Sequence, residues 1–182
     1  AFIESIDFNN ITSEATAINS IYVSDILRDF LNEPTLLPTV NGRMGAGSFS
    51  FSVNCLSGED TSLLVDVSNS QIEIDGGYEG TNSLCLIKSS LSTDFLVRQL
   101  YYPFRLWTNK ITKPIRPVFL LYSNGTYYLF EYAFEEIGNY NSLKRVQYKK
   151  YRIENDVITL QDILEIPKRI PVVKEPQIQF PQ

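Results

Sequence analysis

The run PVFLLYSNGTYYLFEY, residues 117–132, is the feature that most constrains the fold. Two stretches rich in β-branched and aromatic residues meet at Asn124-Gly125, a pair that tolerates the positive φ angles of a type I′ turn, so a tight hairpin of two long strands is expected. A hairpin this apolar needs a sheet around it. Phe49, Phe51 and Val53 alternate with Ser50, Ser52 and Asn54, as in a half-buried strand. Residues 63–67, 71–75 and 84–88 (LLVDV, QIEID, LCLIK) read as further strands, the last two parted by the turn-rich GGYEGTNS. The middle of the chain reads as a meander, and residues 143–153 (LKRVQYKKYRI) add another extended segment.

Helices are expected at two main places. Over residues 11–31, Ile11, Ala15, Ile18, Tyr22 and Ile26 fall on one face, with Thr12 and Ser13 as caps and a stop before Pro34. The stretch DFLVRQLYYPFRLW has a helical period through Phe95, Leu96, Gln99, Leu100 and Tyr102, bent or ended by Pro103, and is expected as a crossover helix whose aromatics are mostly core. Residues 34–47, with Pro34, Pro38, Gly42, Gly45 and Gly47, read as a connection. Thr159-Leu-Gln-Asp162 resembles a capping box opening a short last helix, and the prolines from Pro167 to Pro181 make residues 167–182 an extended tail. A chain of 182 residues with 43% hydrophobic content forms one domain over 1–182. The fold class is α/β, with a mixed central sheet flanked by helices.

Composition removes whole classes of chemistry. The sequence has no histidine, which excludes Ser-His-Asp and Cys-His nucleophiles and every imidazole metal site. Cys55 and Cys85 sit in apolar contexts without the paired spacing of a thiolate metal site, and read as buried reduced thiols. No apolar run is long enough to span a bilayer and AFIESIDF has no basic n-region, so neither a membrane helix nor a signal peptide is expected, and a cytoplasmic location follows. Net charge is −5, but it is unevenly spread. Residues 1–87 carry twelve acids and two bases, whereas residues 88–182 carry nine acids and fourteen bases. That asymmetry suits a site where carboxylates hold a cation and nearby bases meet phosphate.

The chemically specific segment is Gln71-Ile-Glu-Ile-Asp75. Strand alternation sets Ile72 and Ile74 on one face and Glu73 and Asp75 side by side on the other. Two like charges that close need a cation or a proton. Asp60 is thirteen residues before Glu73 across a turn, within reach of the same site from a neighbouring strand. On the next strand Leu84, Leu86 and Lys88 share a face, which sets an ammonium opposite the acids. Oxygen ligands and a lysine are the inventory of a hard-cation site, with Mg²⁺ the expected metal. The plain alternative is a cross-strand surface pair on a solvated sheet face. Glu14 on the first helix is a further candidate acid, and Arg98 and Gln99 on the crossover helix are candidate phosphate contacts. Lys144, Arg145, Lys149, Lys150 and Arg152, interleaved with Tyr140, Tyr148 and Tyr151, suit a DNA backbone.

The strings QIEIDGGYEG, DFLVRQLYYPFRLW and FLLYSNGTYYLFEY, with an apolar strand ending in lysine between the first two, resemble type II restriction endonucleases of the PD-(D/E)XK fold over residues 41–145. The chain most resembles the small catalytic subunit of a heterodimeric type IIS restriction endonuclease. That resemblance implies a Mg²⁺-dependent nuclease cutting one strand of double-stranded DNA. It implies also a larger partner subunit that reads the sequence and nicks the other strand, while the net charge of −5, with bases concentrated in the second half, predicts weak DNA binding by the chain alone. The motif can be laid on the residues in two ways. In one, Asp60 is the lone acid and Glu73-Ile74-Asp75 the triad, with aspartate where lysine is usual. In the other, Asp75 is the lone acid and Leu86-Ile87-Lys88 the triad, with leucine where an acid belongs, so that Glu73 or Glu79 supplies the missing oxygen. Both implicate Asp60, Glu73, Asp75, Glu79 and Lys88, with the Ile74 carbonyl as an extra ligand. The rival is a non-catalytic interaction module of degenerate nuclease fold, in which Leu86 records a lost site. A β-rich protein binding a small ligand explains neither the acid cluster nor the charge split.

Overall fold

The structure, a computed structural model, describes residues 3–56 and 61–154. It opens with α1 (Glu14–Val23), capped by Ser13, whose Oγ accepts the Thr16 N–H at 3.1 Å. A second helix, α2 (Ile26–Leu31), follows after a break at Asp25, where φ is 61°. The single helix expected over 11–31 is therefore two. The reason is burial: α1 buries Ala17, Ile18 and Ile21, and a straight continuation would turn Asp25 and Arg28 inward. Breaking the helix lets Ile26, Leu27, Phe30 and Leu31 go inward instead.

The expected connection over 34–47 is mostly strand, β1 (Leu36–Gly45). It lies at the edge of the main sheet, where Pro38 and Gly42, with φ of 97°, are tolerated. β2 (Ser48–Asn54) and β3 (Ser62–Ser68) form a separate two-stranded sheet, tied to a later segment by a Ser52↔Asn139 bridge, so the middle of the chain is not one continuous meander. β4 (Gln71–Gly80) absorbs the GGYEG expected as a turn, and β5 (Leu84–Ser90) returns antiparallel to it. α3 (Val97–Thr108) runs on through Pro103, held to the sheet by buried Leu100, Tyr101, Phe104 and Leu106. β6 (Ile115–Ser123) and β7 (Thr126–Phe134) form the expected hairpin, with φ of 49° at Asn124 and 74° at Gly125, and β8 (Leu143–Arg152) adds the far edge.

The result is an α/β fold with a mixed six-stranded sheet in the order β1-β4-β5-β6-β7-β8. Its parallel neighbours are β5 and β6, joined across the sheet by α3. β5 is buried on both faces. Cys85 and Ile87 enter a core with Ile18, Ile21, Leu27 and Phe30 of the first two helices, while Leu84 and Leu86 enter a second core with Leu100, Tyr101 and Phe104 of α3. The first core is fastened by Arg116, which pairs with Glu131 at 2.6 Å and donates to the Leu31 carbonyl at the end of α2. Of the two thiols Cys85 is buried as expected, but Cys55 is exposed, since it lies just past β2 where neither core reaches. No helix of the described residues is long and apolar enough to cross a membrane. Asp60, the 159–162 capping box and the 167–182 tail lie outside the described residues.

One irregularity positions everything that follows. β1 and β4 pair regularly from Gly45↔Gln71 to Gly42↔Ile74, and the next pair is Val40↔Gly77. Asn41 alone therefore faces both Asp75 and Gly76, which is a β-bulge in β4. The bulge resets the alternation: Ile74 enters the core under α3, whereas Tyr78, four residues on, enters the core under α1. Gly77 has no room for a side chain there, because a Cβ would lie 2.5 Å from the Val40 carbonyl oxygen. Gly77→Ala is expected to lower stability by about 1–3 kcal/mol in urea unfolding. Gly138→Ala, where a Cβ meets nothing within 4 Å, is expected to stay within about 0.5 kcal/mol of the parent.

Candidate active site at a fork between two strands

The β4–β5 ladder runs from Glu79↔Leu84 to Gly76↔Ile87 and stops there. Beyond that point β4 stays paired with β1 and β5 stays paired with β6 as far as Ser90↔Leu121, so the two strands part. The next two residues, Asp75 and Lys88, sit in the fork and are joined by their side chains. Lys88 Nζ lies 2.8 Å from Asp75 Oδ2, and the same oxygen accepts the Ser89 N–H at 2.8 Å. Both side chains are largely buried, at 15% and 14% exposure, which distinguishes this pair from a solvated cross-strand contact. A carboxylate thus takes the place of the missing backbone ladder.

The acids that alternation sets side by side have different partners. Glu73 is half-exposed and pairs with Arg43 on β1 at 3.5 Å, while Asp75, turned by the bulge, holds Lys88. A cleft of about 160 Å³ at the fork is lined by Gln71, Glu73, Lys88, Arg98, Gln99 and Tyr102. Asp75 opens onto a second cavity, of about 290 Å³, between Ala15, Ile18 and Asn19 of α1 and residues 38–41 of β1. Asp75 and Lys88 therefore span the sheet between a cavity on the α1 side and a cleft on the α3 side. Burial pushes the Tyr78 hydroxyl beside this cavity up to about 12.

The remaining expected residues are placed as follows. Glu14 is exposed in the first turn of α1, and its carbonyl accepts the Ser89 hydroxyl at 3.2 Å, which puts the helix start beside the fork. Glu79 is not brought there: it pairs with Lys113 at 2.6 Å, roughly 13 Å along the strand from Asp75. Leu86 is buried in the core under α3, at 3% exposure. The Ile74 side chain fills that same core and leaves only its backbone for any ligand role. Arg98 is exposed, stacks on Tyr102 at 5.6 Å, and makes no ion pair among the described residues. Gln99 already spends its amide oxygen on the Leu96 N–H at 3.0 Å. Sequence reasoning missed Arg43 and Ser89. The signal available for the bulge was Asp75-Gly76-Gly77, a small flexible pair after an acid, which reads equally well as a turn.

Over residues 1–152 the chain matches the family described as "Domain of unknown function (DUF6997)". The chain belongs to that family. No curated protein and no solved structure matches it. In this DUF6997 chain the match takes in the whole fork, from Glu14 to Arg98, and stops at the last residue of β8.

The fork has a measurable energetic signature. Lys88→Met leaves the Asp75 carboxylate largely buried without its cation, and is expected to cost about 3 kcal/mol in urea unfolding at pH 7. The double variant Asp75→Asn/Lys88→Met is expected to recover at least half of that loss, because both charges are gone. A double-variant loss equal to the sum of the Lys88→Met and Asp75→Asn losses would show that the pair is not coupled.

Proposed function

We propose that the chain is a Mg²⁺-dependent DNA endonuclease subunit that hydrolyses one strand of a duplex and depends on a larger partner for sequence recognition. The observation that carries the reading is the Asp75–Lys88 pair, set at the point where two adjacent strands part, with Lys88 lining a cleft together with Glu73 and Arg98. The order of elements around it, helix, β1, β4, β5, α3, β6, agrees with the PD-(D/E)XK resemblance. Of the two ways to place that motif, the described residues bring together the acid and the lysine of the second, Asp75 and Lys88. Glu73 lines the small cavity that also contains Leu86, and so stands in for the acid absent at position 86.

The donor set suits a hard cation. Among the described residues no three acids cluster, but Mg²⁺ keeps several waters and takes one or two carboxylates together with substrate phosphate oxygens. Asp75 and Glu73 would hold it, with the Ile74 carbonyl between them. When bound, the ion would offset phosphate charge and lower the pKa of a bound water, so that it loses a proton to solvent and becomes nucleophilic. The chain's own groups do the rest. Lys88 leaves Asp75 to donate to a phosphate oxygen or to the attacking water, which it can do because Ser89 keeps the carboxylate oriented. Arg98, unpaired at the rim, meets the neighbouring phosphate. The bulge holds Asp75 against recoil, since Gly77 and Val40 are packed tightly behind it.

The rival has its own observation. Leu86 is packed as a core residue, which also fits a module that has lost catalysis. Plasmid cleavage in Mg²⁺, with the chain encoded beside this one present, decides between them. Asp75→Ala and Glu73→Ala are each expected to reduce strand cleavage to background, and EDTA to abolish it. Lys88→Ala is expected to slow cleavage about 100-fold while leaving Mg²⁺ affinity in place, because an ammonium is a charge stabiliser and not a ligand. Nicking of the partner's strand alone in Mg²⁺, with no cut in the other strand when this chain is present, would favour the non-catalytic module.

A further inference from the structure

On the α3 side of the sheet the strands beyond the helix carry a row of rings that starts at the fork. Lys88 on β5 pairs in register with Phe119 on β6, Phe119 with Phe130 on β7, and Phe130 with Tyr148 on β8. The rings touch in sequence. Phe95 stacks on Phe119 at 4.4 Å, Phe119 meets Phe130 at 6.2 Å, and Phe130 stacks on Tyr148 at 4.7 Å with 26° between planes. The inner end is sealed, with Phe119 only 3% exposed, but the outer end opens, with Tyr148 39% exposed on an edge strand. From Lys88 to Tyr148 the row crosses three strand spacings, about 14 Å.

Charge on this face is one-sided. Arg145 pairs in register with Tyr132 and Lys150 with Tyr128, so a base stands on each side of Tyr148 along β8. Neither makes an ion pair among the described residues. The opposite face of the same strand is neutralised: Lys149 and Tyr151 both reach Asp29, and Gln147 reaches Glu131. On the ring-bearing face of β6, β7 and β8 no residue is acidic. A set of stacked rings ending in an open ring, flanked by free cations, complements a strand whose bases are unpaired and whose backbone is anionic.

We infer that this face binds a single-stranded stretch of DNA, one base stacking on the outer side of Tyr148 while Arg145 and Lys150 hold the adjoining phosphates. The inference rests on the nuclease reading for its direction: the bound strand runs along the row toward Lys88 and the cleft. A duplex is the poorer ligand, because its bases have no free faces to stack. Regular cross-strand pairing accounts for the inner rings and for one side of Tyr148, but among the described residues leaves its outer side and the two cations beside it without a partner.

The test is fluorescence anisotropy of the full chain with a labelled oligothymidylate of about 20 nucleotides and with a duplex of equal length, in EDTA at about 50 mM salt. The single strand is expected to bind more tightly. Tyr148→Ala should weaken it about tenfold while Tyr148→Trp keeps it, as stacking requires. Arg145→Gln and Lys150→Gln should each reduce the salt dependence by about 0.7 in the log–log slope, whereas Lys149→Gln, on the opposite face, should change nothing. Equal affinity for duplex and single strand, unchanged binding in Tyr148→Ala, or a Lys149→Gln loss matching that of Lys150→Gln overturns the inference. Because EDTA separates binding from cleavage, a chain that binds in this pattern but cuts nothing refutes only the nuclease reading. One that cuts normally and binds no single strand refutes only the platform.

Discussion

The site depends on a single extra residue in β4. Without the bulge at Asp75-Gly76, strict alternation would run unbroken, and Ile74 and Tyr78, four residues apart, would share a face and could not serve two different cores. With it, Ile72 and Ile74 pack under α3, Tyr78 packs under α1, and the intervening aspartate is left where the ladder to β5 ends. A buried carboxylate is costly unless it is paired and hydrogen-bonded, and here both conditions are met by the facing strand, through Lys88 and the Ser89 N–H. Ser89 in turn fastens the start of α1 through the Glu14 carbonyl. The bulge, the fork and the helix position are thus one linked arrangement.

The same sheet shows how tertiary context sorts like residues into different tasks. β8 is rich in basic and aromatic residues along its length, yet its two faces differ. One face meets α2 and has its polar groups satisfied by Asp29, Glu131 and the Phe30 carbonyl. The other lies past the end of α3 and keeps Arg145 and Lys150 unpaired beside the open ring of Tyr148. The charge imbalance between the halves of the chain is consequently not a uniform field. Several acids are committed to specific bases, as in Glu131 with Arg116 and Glu79 with Lys113, while Arg98 near the fork and Arg145 and Lys150 on one strand face form no ion pair among the described residues.

Local signals were legible wherever one residue pair decides the backbone. Asn124-Gly125 specified its hairpin, and Ser13 its helix cap, because each acts through its own φ or its own hydroxyl. Legibility failed where burial chose against local preference. Pro38 and Gly42 read as loop but lie in an edge strand, Pro103 reads as a helix stop but lies inside α3, and GGYEG reads as a turn but is the second half of β4. In each case a neighbouring element supplies the packing or hydrogen bonds that the isolated segment lacks. The break between α1 and α2 is the reverse case, a periodic stretch divided so that Asp25 and Arg28 stay out of the core.

For the site, the chain alone determined which residue types were available: carboxylates and a lysine on neighbouring strands, with histidine chemistry excluded by composition. It determined that Lys88 and Asp75 lie on adjacent strands, since the segments between them are too short for anything but a return. Which acid meets the lysine was decided only by tertiary structure. Glu73 and Asp75 are equivalent under strand alternation, and the bulge, a property of how β1 and β4 register against each other, gives one to Arg43 and the other to Lys88. Register is set by distant packing on both faces of the sheet, and period-two patterning within a single strand carries no record of it.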